Sequence, residues 1–255
     1  MSVTRVVHVT RTVGLADVRP DTRVRLDALA RLVQDVADAD LSTAPISRTG
    51  FWILRRLSFR IARTPRFRAE LDASTWCSGV GPRWAERSTT FRVGDELCVE
   101  AKSLAVHTDP DTRAPVALPS EFGAVWGEDA PRVSARLKHP PPAANGVRRP
   151  WPLRATDIDL VGHVNNAAYW AAVEDELARR GNPRVDTAEI EFRSGLTLGE
   201  PVEFSVSDTA DGFACWLCVD GDVRASMLIR LHSPALDHRF GRRDEPDLRP
   251  APGCS

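Results

Sequence analysis

The chain has 255 residues, 34 basic against 35 acidic side chains, a formal net charge of −1 and 42% hydrophobic residues. It can bury one sizeable core or two smaller ones. The near-zero charge argues against a nucleic-acid binder that relies on phosphate neutralisation, and no segment approaches the roughly 20 consecutive apolar residues of a membrane-spanning helix.

The first half of the chain begins with a strand pattern over residues 5–12, followed by a helix pattern over 26–39. The helix prediction rests on apolar residues at spacings of three and four: Leu26, Leu29, Ala30, Val33 and Ala37. Segments with alternating or β-branched residues then predict strands over 53–63, 69–80, 85–94 and 97–108.

A proline-rich segment over residues 131–146 has no hydrophobic periodicity and predicts a linker between a first unit, 1–130, and a second unit, 147–234. The second unit repeats the order of the first, with a strand, a helix and four more strands. These are predicted over 148–154, 165–180, 186–194, 201–209, 213–221 and 224–233. Residues 235–255 have few large apolar side chains, so a flexible tail is expected.

The two units align at a shift of 140 residues, which is the strongest indication of the architecture. Under this shift Ala16-Asp17-Val18 matches Thr156-Asp157-Ile158, and Gln34-Asp35 matches Glu174-Asp175. One long helix wrapped by an antiparallel sheet is the hotdog arrangement. The predicted fold is therefore α+β, a tandem (double) hotdog that imitates a hotdog homodimer, present as a monomer or as a dimer of double hotdogs.

Polar residues before the second helix locate the candidate site. Segment 156–170 reads TDIDLVGHVNNAAYW and contains Asp159 and His163, where the first unit has Arg19 and Arg23. A carboxylate can act as nucleophile or general base, and a histidine can move a proton. Backbone N–H groups at the helix start can bind a developing oxyanion. The candidate donors are Gly162, Val164, Asn165 and Asn166. This set predicts attack on a carbonyl group.

Three alternatives accompany this interpretation of the segment. Asp157, Asn165 and Asn166 can cap the helix without any catalytic role. Asp159 and His163 can likewise serve only as caps or as hydrogen-bonding residues of the core. A metal site of Asp157, Asp159 and His163 lacks a fourth ligand, so neither a metal ion nor another cofactor is expected.

The cysteines indicate a reducing compartment. There are five, an odd number, and the first residues lack the apolar run of a signal peptide, so a cytoplasmic location is expected. Cys215 and Cys218 form a CxxC pair in a strand pattern. Residues three apart in a strand face opposite sides, so this pair is not expected to bind metal.

The segment DIDLVGHVNNAAYW resembles the motif D-x-D-x-N-x-H-V-N-N-x-x-Y of the bacterial type of acyl-acyl carrier protein (acyl-ACP) thioesterases. More loosely, it is similar to that of 4-hydroxybenzoyl-CoA thioesterase-like hotdog enzymes. Matches to the first-domain patterns W-x-x-x-R, R-x-P-x-[WF] and T-W are Trp52, Arg56, Arg63, Pro65, Phe67, Thr75 and Trp76. The resemblance covers residues 1 to about 233. It implies a hydrolase that releases free fatty acid from acyl-ACP, or from acyl-CoA.

The resemblance places Asp159 and His163 at the catalytic aspartate and histidine positions of the family. Its catalytic asparagine is Val161 here, and its glutamate and cysteine are Gly195 and Leu196. With those three residues changed, the resemblance implies a mechanism that uses only the aspartate and the histidine, like that of other hotdog thioesterases. The alternative is a non-catalytic acyl-binding or regulatory protein. A hotdog dehydratase is disfavoured because its H-F-P-G signature is absent.

The first unit lacks the polar pair and is expected to bind the acyl chain. Candidate tunnel residues are Leu29, Val33, Trp52, Leu54 and Trp84. An acidic carrier protein would dock on a basic patch. The candidates are Arg132, Arg136, Lys138, Arg148 and Arg149 around the linker, or Arg179, Arg180 and Arg184 after the second helix.

Overall fold

The computed structural model describes residues 5–46, 50–127, 129–143 and 146–232, so the predicted tail over 235–255 lies outside the described residues. In the first half, the strands are β1 (Val6–Thr12), β2 (Phe51–Ile61), β3 (Glu70–Val80), β4 (Trp84–Val93) and β5 (Glu96–Thr108), with helices α1 (Leu26–Thr43) and α2 (Phe122–Trp126). The second half contains β6 (Val147–Pro150), α3 (Trp170–Arg179), β7 (Val185–Phe192), β8 (Val202–Thr209), β9 (Gly212–Val219) and β10 (Asp222–Leu231).

The described strands form one antiparallel sheet in the order β1-β3-β4-β5-β2-β7-β10-β9-β8-β6. Each half contributes five strands in the same relative order, and the halves join where β2 pairs with β7, with Leu57 opposite Ile190. Helices α1 and α3 contact each other and bury their apolar faces in one core cluster with residues of the sheet. The predicted α+β double hotdog with edge-to-edge pairing is confirmed.

The 140-residue repeat extends to individual backbone hydrogen bonds before each helix. A short 3₁₀ turn spans Leu15–Asp17 in the first half and Ala155–Asp157 in the second. The N–H of Arg19 donates to the carbonyl of Arg23 at 2.8 Å, and Asp159 donates to His163 at 2.9 Å. The two segments therefore share one backbone conformation, although their side chains differ.

Helix α1 begins at Leu26 as predicted but continues to Thr43, beyond the predicted end at residue 39. The extra turn is stabilised by Asp40, a fully buried carboxylate that accepts hydrogen bonds from Arg5, Arg87 and the indole of Trp126. The helix prediction rested on apolar residues only, so it did not include this inward-facing position, which a paired carboxylate occupies.

The second helix begins at Trp170, whereas the sequence predicted a start at Asn165. Residues 165–169 form tighter turns, in which the N–H of Ala168 donates to the carbonyl of Asn165 and Trp170 donates to Ala167. The side chain of Asn165 also accepts the N–H of Ala167 at 2.9 Å. Bonds between residues three apart replace the α-helical pattern over this stretch.

The short helix α2 was not predicted from the sequence. Phe122 and Trp126 are buried in a second cluster, against Cys77 and Val80 of β3 and the half-buried Trp52. This cluster lies outside the main core and covers one side of the first unit. The described part of the predicted linker, 131–143, forms neither a helix nor a strand, and its Val133 N–H donates to the carbonyl of Val80.

Two further sequence expectations concern the cysteines and the membrane. Cys215 lies in the main core, whereas Cys218 lies in a separate cluster with Ala214 and Trp216, so the expectation that they face opposite sides of β9 is confirmed. Within the described ranges, every helix is too short or too polar to span a bilayer.

Candidate active site

The Asp159–His163 segment forms a tight hairpin turn of three residues. Its two hydrogen bonds run from the N–H of Asp159 to His163 and from Gly162 to the carbonyl of Asp159, the second at 3.0 Å. Gly162 has a φ of 81°, the left-handed conformation that closes a hairpin of this length. Residues paired across such a turn direct their side chains to the same face. The turn therefore places the side chains of Asp159 and His163 on the same face.

The two side chains have different surroundings. Asp159 is half-buried, and its Oδ1 accepts the N–H of Val161 at 2.9 Å. His163 is exposed and lies against Gly195, where an added Cβ would be 3.0 Å from Nδ1. The glycine at this position therefore leaves room for the imidazole ring.

A buried tyrosine, Tyr169, lies next to this site. The hydroxyl oxygen of Tyr169 accepts the N–H of Leu196 at 3.0 Å, and both residues are buried. Burial raises the pKa of Tyr169 to about 12, and the nearby charges of Glu200 and Asp159 act in the same direction. The phenol therefore stays neutral at physiological pH beside the candidate carboxylate.

Three of the four predicted oxyanion donors were wrong. The N–H groups of Gly162, Val164 and Asn165 already donate to the carbonyls of Asp159, Leu196 and Asp157, at 3.0, 2.8 and 2.8 Å. The physical reason is that these amides belong to a hairpin turn and not to the first turn of a helix. The N–H of Asn166 has no acceptor among the described residues and remains a prediction.

Two of the predicted capping residues do have a structural role. Asp157 is buried, accepts the N–H of Arg154 at 2.8 Å and pairs with the Arg154 guanidinium at 2.9 Å. Asn165 caps the following turn through the N–H of Ala167. The prediction that they cap the helix was wrong, because α3 begins after Tyr169 without a side-chain cap, and both residues stabilise the turns that precede it.

A cavity of about 980 Å³, including its open mouth, lies in the first unit between α1, the sheet and α2. Of the predicted tunnel residues, Val33, Trp52 and Leu54 line it. Leu29 does not line it and is fully buried in the main core. Trp84 does not line it either, and its indole N–H donates to the carbonyl of Val133. Asn166 and Ala167 of the second unit complete the wall.

The repeat explains why this cavity lies in the first unit. Ala30 and Ala37 of α1 line it, and the matching positions of α3 hold Trp170 and Leu177, which are fully buried. The Trp170 ring packs against Phe59, with ring centroids 5.3 Å apart. Small side chains on one helix therefore leave open the space that large side chains fill on the other.

One group of potential metal ligands lies among the described residues, at His139, Glu189 and Glu191. The imidazole already contacts Glu189 at 2.9 Å and Ser226 at 3.1 Å. Glu191 is fully buried and accepts the N–H groups of Lys138 and His139. These contacts attach the middle of the predicted linker segment to β7 and β10, which is a structural role.

Two arginines without an acidic partner among the described residues lie beside the turn that holds Gly195. Arg55, at a bulge in β2, donates to the carbonyl of Arg193 at 3.0 Å. Burial, together with the charge of Arg193, lowers the pKa of Arg55. Of the predicted docking residues, Arg148, Arg149 and Arg180 are paired with acidic side chains.

Residues 8–126 match the family model of the acyl-ACP thioesterase N-terminal domain, and residues 142–223 match that of the C-terminal domain. An uncharacterized protein of Mycobacterium tuberculosis is 28% identical over 220 residues, covering 84% of this chain and 87% of that protein. The chloroplastic oleoyl-acyl carrier protein thioesterase of Coriandrum sativum is 22% identical, covering 73% and 58%. The structure of the 12:0-ACP thioesterase from Umbellularia californica has a TM-score of 0.77 at 17% identity, covering 89% of this chain and 97% of that one.

Proposed function

Because this chain belongs to the acyl-ACP thioesterase family, a family of thioester hydrolases, we propose that it releases free fatty acid from acyl-ACP at Asp159 and His163. The observation that carries the proposal is the shared wall of the cavity. Asn166 lines the cavity of the first unit and lies three residues after His163. An acyl chain bound in the first unit would end at the polar turn of the second.

In the proposed mechanism Asp159 acts as general base. It takes a proton from water as the water oxygen attacks the thioester carbonyl carbon, and the carbonyl electron pair moves onto oxygen. When that pair returns, the C–S bond breaks, and the thiolate takes a proton from the protonated imidazole of His163 to leave as the carrier thiol. The proton held by Asp159 then passes to His163, which restores both groups. The products are a fatty acid and a free thiol.

Thiol release tests this proposal directly. Purified protein is incubated with acyl-ACP and acyl-CoA of several chain lengths, and free thiol is followed with a thiol-reactive dye. Catalytic release of thiol is expected, with many turnovers per chain. Stoichiometric binding without release would contradict it and favour an acyl-binding protein that has lost hydrolysis, to which the departures at Val161, Gly195 and Leu196 would then contribute.

The cavity predicts how chain length is selected. Each buried methylene stabilises the bound acyl chain by roughly 0.8 kcal/mol until the chain meets the wall. Ala37→Leu introduces into α1 the side chain that fills the matching position of α3. We expect the variant to lose activity on the longest accepted chains by about tenfold, and to retain activity on short ones.

The measurement is kcat/KM across a series of acyl-CoA lengths for Ala37→Leu and a matched control. Ala39→Leu adds the same side chain to the same helix at a position that does not line the cavity. An unchanged length profile in Ala37→Leu would place the acyl chain elsewhere.

Arg55 and Arg193 provide a positive patch on which an acidic carrier would dock. Two neighbouring guanidinium groups without an acidic partner in the described part of the chain produce a positive potential beside the site. Attraction between a positive patch and an acidic protein speeds association and is screened by salt. The carrier would therefore approach the site from this side.

Salt dependence distinguishes the two substrates. We expect kcat/KM for acyl-ACP to fall roughly tenfold between low and high ionic strength, and that for acyl-CoA to fall less. Arg193→Gln should flatten the acyl-ACP profile. Arg148→Gln serves as control because Arg148 is exposed and already pairs with Glu203. An acyl-ACP profile that Arg193→Gln leaves unchanged would contradict docking at this patch.

A further inference from the structure

A buried ion pair joins the two units at the position in the first unit that matches the candidate active site. Arg19, in the turn equivalent to that of Asp159, donates two hydrogen bonds to Glu174 of α3, at 2.7 and 2.9 Å. The same carboxylate accepts the N–H of Leu26 at 2.7 Å. Both charged residues are 9% exposed. A carboxylate oxygen from one unit thus receives the helix-start N–H of the other.

The repeat assigns a counterpart to each of these three residues. Under the 140-residue shift, Arg19 matches Asp159, Leu26 matches Asn166, and Glu174 matches Gln34. Helices α1 and α3 contact each other, and Glu174 of α3 faces the turn of the first unit. By the symmetry of the repeat, Gln34 of α1 faces the turn of the second unit, which holds Asp159. Gln34 and Asn166 line the same cavity, in agreement with this placement.

The second unit has Asp159 where the first unit has Arg19, and this shorter side chain leaves space in the second unit. An aspartate side chain is three bonds shorter than an arginine, so its carboxylate cannot reach the opposite helix as Arg19 does. Gln34 is half-buried, and its amide has no hydrogen-bond partner among the described residues. The N–H of Asn166 likewise has no acceptor in the described ranges. Gln34 and Asn166 therefore each offer an unused donor to the cavity that both line, and Asn166 follows the turn that holds Asp159.

We propose that Gln34 is a catalytic residue, whose side-chain N–H binds the thioester carbonyl oxygen together with the backbone N–H of Asn166. This inference rests on the proposed function. In the first unit, an oxygen of Glu174 accepts the N–H of Leu26. In the second unit, the substrate carbonyl oxygen takes the equivalent place beside the N–H of Asn166. Both donors strengthen their bonds as the carbonyl pair moves onto oxygen, and this stabilises the transition state.

The test compares two substitutions of Gln34. Gln34→Ala removes one donor and should lower kcat by about 10²–10³-fold, with KM changed much less. Gln34→Glu keeps the size of the side chain but supplies a carboxylate, which would accept the Asn166 N–H as Glu174 accepts that of Leu26. We therefore expect Gln34→Glu to be slower than Gln34→Ala at neutral pH, and to recover part of its activity as the pH falls. A merely structural Gln34 would tolerate the isosteric change better.

The matched control is Glu174→Gln, at the counterpart position on α3, which faces the turn of the first unit. It should lower the melting temperature because Arg19 loses its charged partner, and leave kcat per folded chain within threefold of the wild type. A fall in kcat of less than tenfold in Gln34→Ala, or a change confined to KM, would overturn the proposal.

A spectroscopic measurement separates this inference from the proposed function. The Asp159→Asn variant is loaded with acyl-CoA carrying a ¹³C carbonyl, and the infrared C=O stretch is recorded with and without Gln34→Ala. A stretch shifted to lower frequency that moves back in Gln34→Ala supports the contact, even if the wild type released no thiol. A stretch unaffected by Gln34→Ala overturns it, even if the wild type hydrolyses thioesters.

Discussion

Asp159→Asn is expected to lower kcat for thioester hydrolysis by about 10³-fold while the melting temperature stays within a few degrees of the wild type. An amide cannot take the proton from water, and a general base contributes about 10²–10⁴-fold to a hydrolysis of this kind. The fold should tolerate the change because the hydrogen bond that the Asp159 carboxylate accepts from Val161 is also available to an asparagine Oδ1. Turnover is measured by thiol release, and stability by thermal unfolding.

The neighbouring aspartate provides the control for this prediction. Asp157→Asn alters a buried carboxylate that pairs with Arg154 and accepts its N–H. This variant should lose stability, with activity per folded chain much less affected than in Asp159→Asn. Undiminished hydrolysis by Asp159→Asn would reject the assignment of the general base.

The largest effect on stability is expected at Asp40. Asp40→Ala removes a fully buried carboxylate and leaves the guanidinium groups of Arg5 and Arg87 and the indole of Trp126 without their partner. Breaking a buried pair from one side costs about 3–5 kcal/mol. For a chain of this size, the melting temperature should fall by roughly 6–20 °C. Arg87 and Trp126 also line the cavity, so binding of long acyl chains should weaken.

The pH dependence provides a second measurement at the same residue. Burial opposes ionisation of Asp40, but hydrogen bonds from Arg5 and Trp126 and the charge of Arg87 hold its pKa below the usual value. A carboxyl with a lowered folded-state pKa contributes stability above its unfolded pKa of about 3.9, and this is lost as the pH falls through the folded value. The acid side of the wild-type stability profile should therefore be steeper than that of Asp40→Ala.

Asp35→Ala is the matched control on the same helix. Asp35 is exposed and pairs with the exposed Arg11 at 3.4 Å, a contact expected to contribute about 0–1 kcal/mol. If Asp40→Ala were no less stable than Asp35→Ala, the cluster around Asp40 would not hold α1 to the sheet as its contacts indicate.

Local residue patterns were sufficient to predict the helices and strands of the fold. Helix faces depend on apolar spacing and strands on alternation, and both are properties of consecutive residues. The 140-residue repeat then determined how two units pair, because a repeated sequence folds into a repeated structure with matching edges. The same comparison singled out Asp159 and His163, where the two copies differ in chemistry.

The donors and the cavity required the tertiary structure. The sequence before a helix does not show whether a backbone N–H lies in a hairpin turn or in the first helical turn. Only the fold shows which carbonyl accepts its hydrogen bond. Gln34 lies on the other unit's helix, and no local pattern relates it to Asp159. The unpredicted helix α2 covers the cavity through Phe122 and Trp126.

The sequence by itself therefore determined the double hotdog and the polar pair in its second half, since both are written in spacing and residue type. Only the tertiary structure decided which amides are already bonded, which helix leaves space for an acyl chain and which residue of the first unit faces the second. Those properties depend on the packing of side chains far apart in the chain, such as Ala37 and Trp52 on the cavity wall. Packing of this kind follows from volume and contact in three dimensions.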